Sequence, residues 1–119
     1  MPDREGEGTA VDASPGRGVT MDEVAIARRR VEIVNTYGLH LRAAAKFEKL
    51  ANSFRAEIWV DYRGIRGNGK SILDLVGLTA ECGATLDLEA RGPDALEALA
   101  ALADLVAASF HMPDEDARR

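Results

Sequence analysis

Two residues of the chain join nucleophilic chemistry to anion binding: His40 and Arg42, within Gly38-Leu39-His40-Leu41-Arg42-Ala43-Ala44-Ala45. The glycine and leucine read as a turn, and the residues that follow are good helix formers, so His40 stands at a helix start. There the first backbone N–H groups have no acceptor inside the helix, and the dipole is positive. Such an end attracts an anion. Imidazole is a nucleophile whose neutral form is well populated near pH 7, and guanidinium adds a planar fork of donors. Nucleophile, anion cradle and donor fork are the parts a transient phosphohistidine needs. The same spacing also suits a histidine that only caps the helix and an arginine that only coats it.

A second segment carries chemistry of a different kind. Ser71-Ile72-Leu73-Asp74 has the shape of a capping box, with the serine oxygen on a backbone N–H and an acid near the positive end of a short helix reaching to about Leu78. A phosphate on Ser71 would meet the same favourable helix start, although capping alone accounts for the residue. Gly64-Ile65-Arg66-Gly67-Asn68-Gly69-Lys70-Ser71 also satisfies the phosphate-binding pattern G-x-x-x-x-G-K-[ST]. A true phosphate loop follows a buried parallel strand and opens a long helix. Here the preceding residues alternate like an antiparallel hairpin, so the match reads as coincidence. His111 is read as interacting with the negative end of the last helix, Cys82 as a turn thiol, and Trp59 as an amphipathic ring lying on the surface. No cluster has metal-ligand spacing.

The elements that must position these residues follow from periodicity. Val31 and Ile33 alternate with Glu32, giving a first strand over about 30–35 that ends at Tyr37-Gly38. Leu41, Ala44, Ala45, Phe47, Ala51 and Phe54 recur near helical spacing. Ala56, Ile58 and Val60 alternate with Glu57, Trp59 and Asp61, and Arg63-Gly64 turns the chain into a short returning strand. After Gly83, Leu86, Leu88 and Ala90 point one way while Asp87 and Glu89 point the other. Gly92-Pro93-Asp94 opens a last helix with Pro93 at its first position, carrying Leu96, Leu99, Ala103, Val106 and Phe110 on one face and stopping at Pro113. The order β-α-β-β-α-β-α, with one apolar face per strand, predicts an α+β fold in which helices cover one side of a sheet and water the other.

Length and composition bound the possibilities. A chain of 119 residues supports one domain, and 46% hydrophobic with 29% charged residues is ordinary for a globular protein. The net charge of −5 excludes a general electrostatic footprint for nucleic acid. Arg28-Arg29-Arg30 is the local exception, read as a solvated strand edge. Residues 1–27 are polar and glycine-rich, which predicts a flexible N-terminal tail before a domain over 28–112 and a second tail over 113–119. Translation could begin at Met1 or Met21. A single cysteine, no apolar span and no signal pattern point to a cytoplasmic protein without a membrane partner.

The segments Gly38 to Ala44 and Gly69-Lys70-Ser71-Ile72-Leu73, then Leu78 and Gly83, resemble the histidine phosphocarrier proteins of the HPr family in order and spacing, over about 31–110. The resemblance implies an HPr-like open-faced β-sandwich, a four-stranded antiparallel sheet with three helices on one face. It implies that His40 receives a phosphoryl group at Nδ1 from enzyme I, with phosphoenolpyruvate as ultimate donor, and passes it to an enzyme IIA-type protein. Arg42 would support the phosphate, and Leu39, Leu41, Ile72 and Leu73 would help form the docking surface. No metal or cofactor is implied, and the chain would be a monomeric carrier rather than a free-standing enzyme. Ser71 corresponds to the regulatory serine that HPr kinase/phosphorylase modifies in some relatives. The alternative is a docking module controlled at Ser71 with little phosphoryl flux through His40. Two departures stand out. Ala43 replaces the usual proline, which an alanine tolerates as a helix former, and the turn Asn35-Thr36-Tyr37 differs from commoner variants.

Overall fold

Alternation of apolar residues on the strands gives one face that must be covered, and the computed structural model, which describes residues 25–112, shows how. The elements are β1 (Ile26–Glu32), α1 (Leu41–Ala51), β2 (Glu57–Tyr62), β3 (Ile65–Asn68), α2 (Ile72–Gly77), β4 (Thr85–Arg91) and α3 (Ala95–Ala107), followed by a 3-10 turn over Ser109–His111. The sheet order is β1-β4-β2-β3, with every pairing antiparallel. Ile58, Val60, Leu86, Leu88 and Ala90 are buried from the strands, and Phe47, Leu75, Leu102, Val106 and Phe110 close over them from the helical layer. This is the open-faced α+β sandwich expected from the pattern.

The hairpin is set by its turn. Arg63 and Gly64 lie at φ 53° and 80°, between the paired Tyr62 and Ile65, which is the left-handed two-residue geometry whose twist matches the strands. The opposite face of the sheet is polar and organised around Glu89, which is 5% exposed. Its carboxylate accepts from Arg28 and Arg91, each at 3.3 Å, and from Arg66 at 3.1 Å. Arg66 also pairs with Asp61 at 2.8 Å and lies 5.5 Å over the half-buried Trp59 ring, and Arg30 meets Asp87 at 2.8 Å. Trp59 therefore lies on the surface as expected, held by a cation.

Three expectations are corrected. The first strand begins at Ile26 and ends at Glu32, so the boundary placed at residue 27 falls inside it; residues 1–24 and 113–119 lie outside the described residues. The arginine run lies inside β1 rather than before a strand over 30–35, with Arg28 and Arg30 opposite Glu89 and Asp87 in register, and β1 is an edge strand of the sheet, as the solvated-edge reading expects. The last helix begins at Ala95 rather than at Pro93, and Leu96 is 74% exposed while Ala95, Ala98, Leu99 and Leu102 are buried. The reason lies across the fold: Asp94 does not cap its own helix but accepts from the backbone N–H of Arg55 and Ala56, both at 2.8 Å, which sets where α3 starts and which face it turns inward.

Candidate functional site

The segment between β1 and α1 hangs on the loop that precedes β4. Ile33 N–H donates to the Ala84 carbonyl and Gly83 N–H to that of Ile33, both at 2.8 Å, and Leu39 N–H donates to the Ala80 carbonyl at 2.9 Å. Gly38 lies at φ +70°, and a Cβ there would stand 2.5 Å from the Ala80 oxygen. Only glycine allows that approach. Within the turn, the fully buried Asn35 donates from Nδ2 to the Gly38 carbonyl at 2.8 Å, and Gly38 N–H returns to the Asn35 carbonyl at 3.2 Å. Asn35 is a component of the site that sequence reasoning noted only as part of an unusual turn.

The clamp delivers His40 as the N-cap of α1. Its backbone is extended (φ −79°, ψ −178°), its carbonyl accepts from Ala44 N–H at 2.8 Å, and its Nδ1 accepts from Arg42 N–H at 3.2 Å. An Nδ1 that accepts a hydrogen bond carries a lone pair, so a neutral ring in this arrangement holds its proton on Nε2. The first turn of α1 contains no acidic residue to oppose an anion. Ala43, where the usual motif has proline, is fully buried with Ala44, Phe47 and Ala51, so the helix forms by packing its small face into the core. Arg42 is exposed, and its side chain has no ion pair among the described residues. Tyr37, three residues before His40, places its ring 6.2 Å from the imidazole at an interplanar angle of 76°.

The residues expected to form a docking surface divide. Leu41 and Leu73 are 63% and 82% exposed, and Ile72 is half-buried against the core. Leu39 is 3% exposed, so it is a core residue beneath the site and not part of the surface. The tight turn that presents His40 necessarily turns its preceding neighbour inward. α2 packs against α1. At its start the Ser71 Oγ accepts from Asp74 N–H at 3.2 Å, while Asp74 accepts from Asn68 N–H at 3.0 Å, a cap shared with β3.

The apparent phosphate loop dissolves in the structure. Its residues 65–68 are an antiparallel strand, the helix after it has six residues, and Lys70 Nζ donates to the Phe54 carbonyl at 2.8 Å. His111 is exposed in the 3-10 turn after α3 and borders a groove with Lys46, Lys49 and Asp104. Cys82 is an exposed turn thiol. Among the described residues no group of three His, Cys, Asp or Glu could hold a metal, and no helix is long and apolar enough to cross a membrane.

Fold and site together define a class: small open-faced β-sandwiches that offer one histidine at the N-terminus of their first helix. Comparison with known proteins makes the class specific. Residues 27–108 match the family described as PTS HPr component phosphorylation site. The phosphocarrier protein HPr of Neisseria meningitidis is 43% identical over 83 residues, covering 70% of this chain and 93% of that protein. The phosphocarrier protein NPr of Proteus mirabilis is 35% identical over 89 residues, covering 74% and 96%. A crystal structure of HPr from Thermoanaerobacter tengcongensis superposes with a TM-score of 0.69 at 38% identity, covering 71% of this chain and 96% of that one. The chain belongs to the HPr family of phosphocarrier proteins.

Proposed function

We propose that the protein accepts a phosphoryl group on His40 Nδ1 from phosphorylated enzyme I and delivers it to an enzyme IIA-type partner in the cytoplasm, acting as a monomer. The observation that carries this reading is the Nδ1 lone pair resting on Arg42 N–H, at a helix start free of acidic residues. In the forward step the Nδ1 lone pair forms a bond to phosphorus as the bond between phosphorus and the donor breaks. The electron pair of that bond leaves with the donor, and the Nε2 proton stays on the ring. Arg42 N–H then exchanges Nδ1 for a phosphoryl oxygen, and the guanidinium of Arg42, uncommitted to any described acid, folds toward the dianion. Delivery reverses each movement, so a site that stabilises the phosphoryl group only moderately suits a carrier. The exposed Leu41 and Leu73, with Ile72, supply the apolar contact for two successive partners.

Ser71 gives a regulatory input to the same site. A phosphate on its oxygen would offer new acceptors to the N–H groups at the start of α2 and place a dianion beside the Asp74 carboxylate, on the helix that packs against α1. The test is incubation of the purified chain with phosphoenolpyruvate and enzyme I, beside a His40→Ala variant. An acid-labile adduct on the wild type alone supports the carrier reading. Failure to form one with an active cognate enzyme I, together with an acid-stable adduct from ATP and HPr kinase, would instead leave a docking module controlled at Ser71.

A further inference from the structure

The turn that clamps His40 also carries a largely exposed aromatic side chain, Tyr37. Tyr37 is 53% exposed, so its ring fills no part of the core. Its backbone is nevertheless held, because the Asn35 to Gly38 hydrogen bonds span it on both sides and Leu39 is tied to Ala80. A ring fixed at its root and lying near-perpendicular to the imidazole, with centroids 6.2 Å apart, has the separation and angle of a favourable aromatic pair. Two of the contacts to the imidazole come from this region, Arg42 N–H at Nδ1 and the Tyr37 ring. A half-turn of the imidazole would exchange Nδ1 for Cδ2 at the helix start and give up the first contact. Two contacts restrain the ring against that motion better than one.

We propose that Tyr37 is a positioning residue of the acceptor site, its ring holding the His40 imidazole so that Nδ1 and not Nε2 meets the incoming phosphorus. This rests on the carrier reading and adds to it the determinant of which nitrogen reacts. The covalent step is unchanged: the Nδ1–P bond forms, the donor–P bond breaks with its electrons leaving on the donor, and the Nε2 proton remains.

The test uses a small phosphoramidate as donor, so that no partner protein is needed, and reads the ratio of Nδ1- to Nε2-phosphohistidine by phosphorus NMR. The full chain is compared with Tyr37→Phe and Tyr37→Leu, all three with the fold that an exposed side chain leaves intact. Wild type and Tyr37→Phe should favour Nδ1, and Tyr37→Leu should lose about two- to tenfold of that preference, the range expected for one aromatic pair. The nitrogen chemical shifts of the unphosphorylated ring should show the same loss as a mixture of tautomers in Tyr37→Leu. An Nδ1 preference that persists in Tyr37→Leu overturns the role of Tyr37 and leaves the carrier reading standing. A Tyr37→Phe that behaves like Tyr37→Leu also overturns it, since the hydroxyl would then be the active group. Wild type reacting equally at both nitrogens would count against the Nδ1 assignment as well.

Discussion

Replacing Asp94 tests whether one carboxylate joins the two halves of the fold. Its two oxygens each accept a backbone N–H at 2.8 Å, from Arg55 and Ala56, just before β2, although the residue belongs to the start of α3. Arg55 is exposed, so its N–H can turn to water after Asp94→Ala. Ala56 is fully buried, and its N–H loses its acceptor. An unsatisfied buried donor costs ~1–3 kcal/mol, so the variant should lose about 2 kcal/mol of stability. For a domain of this size that is a fall in Tm of about 8–16 °C by calorimetry. Asp94→Asn should not rescue, because it presents an amide donor where one of the two N–H groups needs an acceptor.

The pH dependence has a definite sign. Hydrogen bonding from Arg55 N–H, opposed by burial and aided by Ala56 N–H, holds the Asp94 carboxyl below the usual carboxylate range. A carboxyl depressed in the folded state contributes stability that is complete above its unfolded value of about 3.9 and drains away as pH falls through the folded value. The gap between wild type and Asp94→Ala, measured by urea unfolding, should therefore be full at pH 7 and shrink below about pH 4. A gap of the same size at acid and neutral pH would refute the reasoning and make the loss one of packing.

Other perturbations separate the site from its scaffold. Gly38→Ala must place a Cβ against the Ala80 carbonyl in a left-handed backbone, so it should lower Tm and slow phosphoryl acceptance at His40 together, with strain alone costing ~1–2 kcal/mol; normal acceptance would show that the clamp does not deliver the histidine. Glu89→Gln leaves Arg28, Arg66 and Arg91 without their shared acid and should cost on the order of 1–2 kcal/mol in urea unfolding, the arginines being partly exposed. Burial alone would raise the Glu89 carboxyl, but hydrogen bonds from Arg66 and Arg91 outweigh it and hold it low, so this loss too should fade as pH falls below about 4.3. Acceptance at His40 should be unaffected, since Glu89 lies on the face of the sheet opposite the helices; a slowed reaction would couple that face to the site.

Much of the molecule was legible in local signals. The period-2 alternation of Ile58 and Val60 and of Leu86, Leu88 and Ala90 set the buried face, Arg63-Gly64 set the hairpin, and the residues around His40 set a helix start with an anion-binding end. These features depend on neighbours two to four residues apart, which the sequence displays directly. Tertiary structure decided the rest. Arg28 and Arg30 are charges on an edge strand, as read, but their partners Glu89 and Asp87 appear only when β4 pairs with β1. Leu39 stands among the docking residues that the resemblance implies until its N–H binds the distant Ala80 carbonyl and its side chain turns into the core. The frame of α3 hides a further long-range effect, because Leu96 and Leu99 look equally apolar until the Asp94 carboxylate binds Arg55 and Ala56 and turns Leu96 to solvent. In each case the deciding partner lies far away along the chain, where composition and periodicity carry no information about distance.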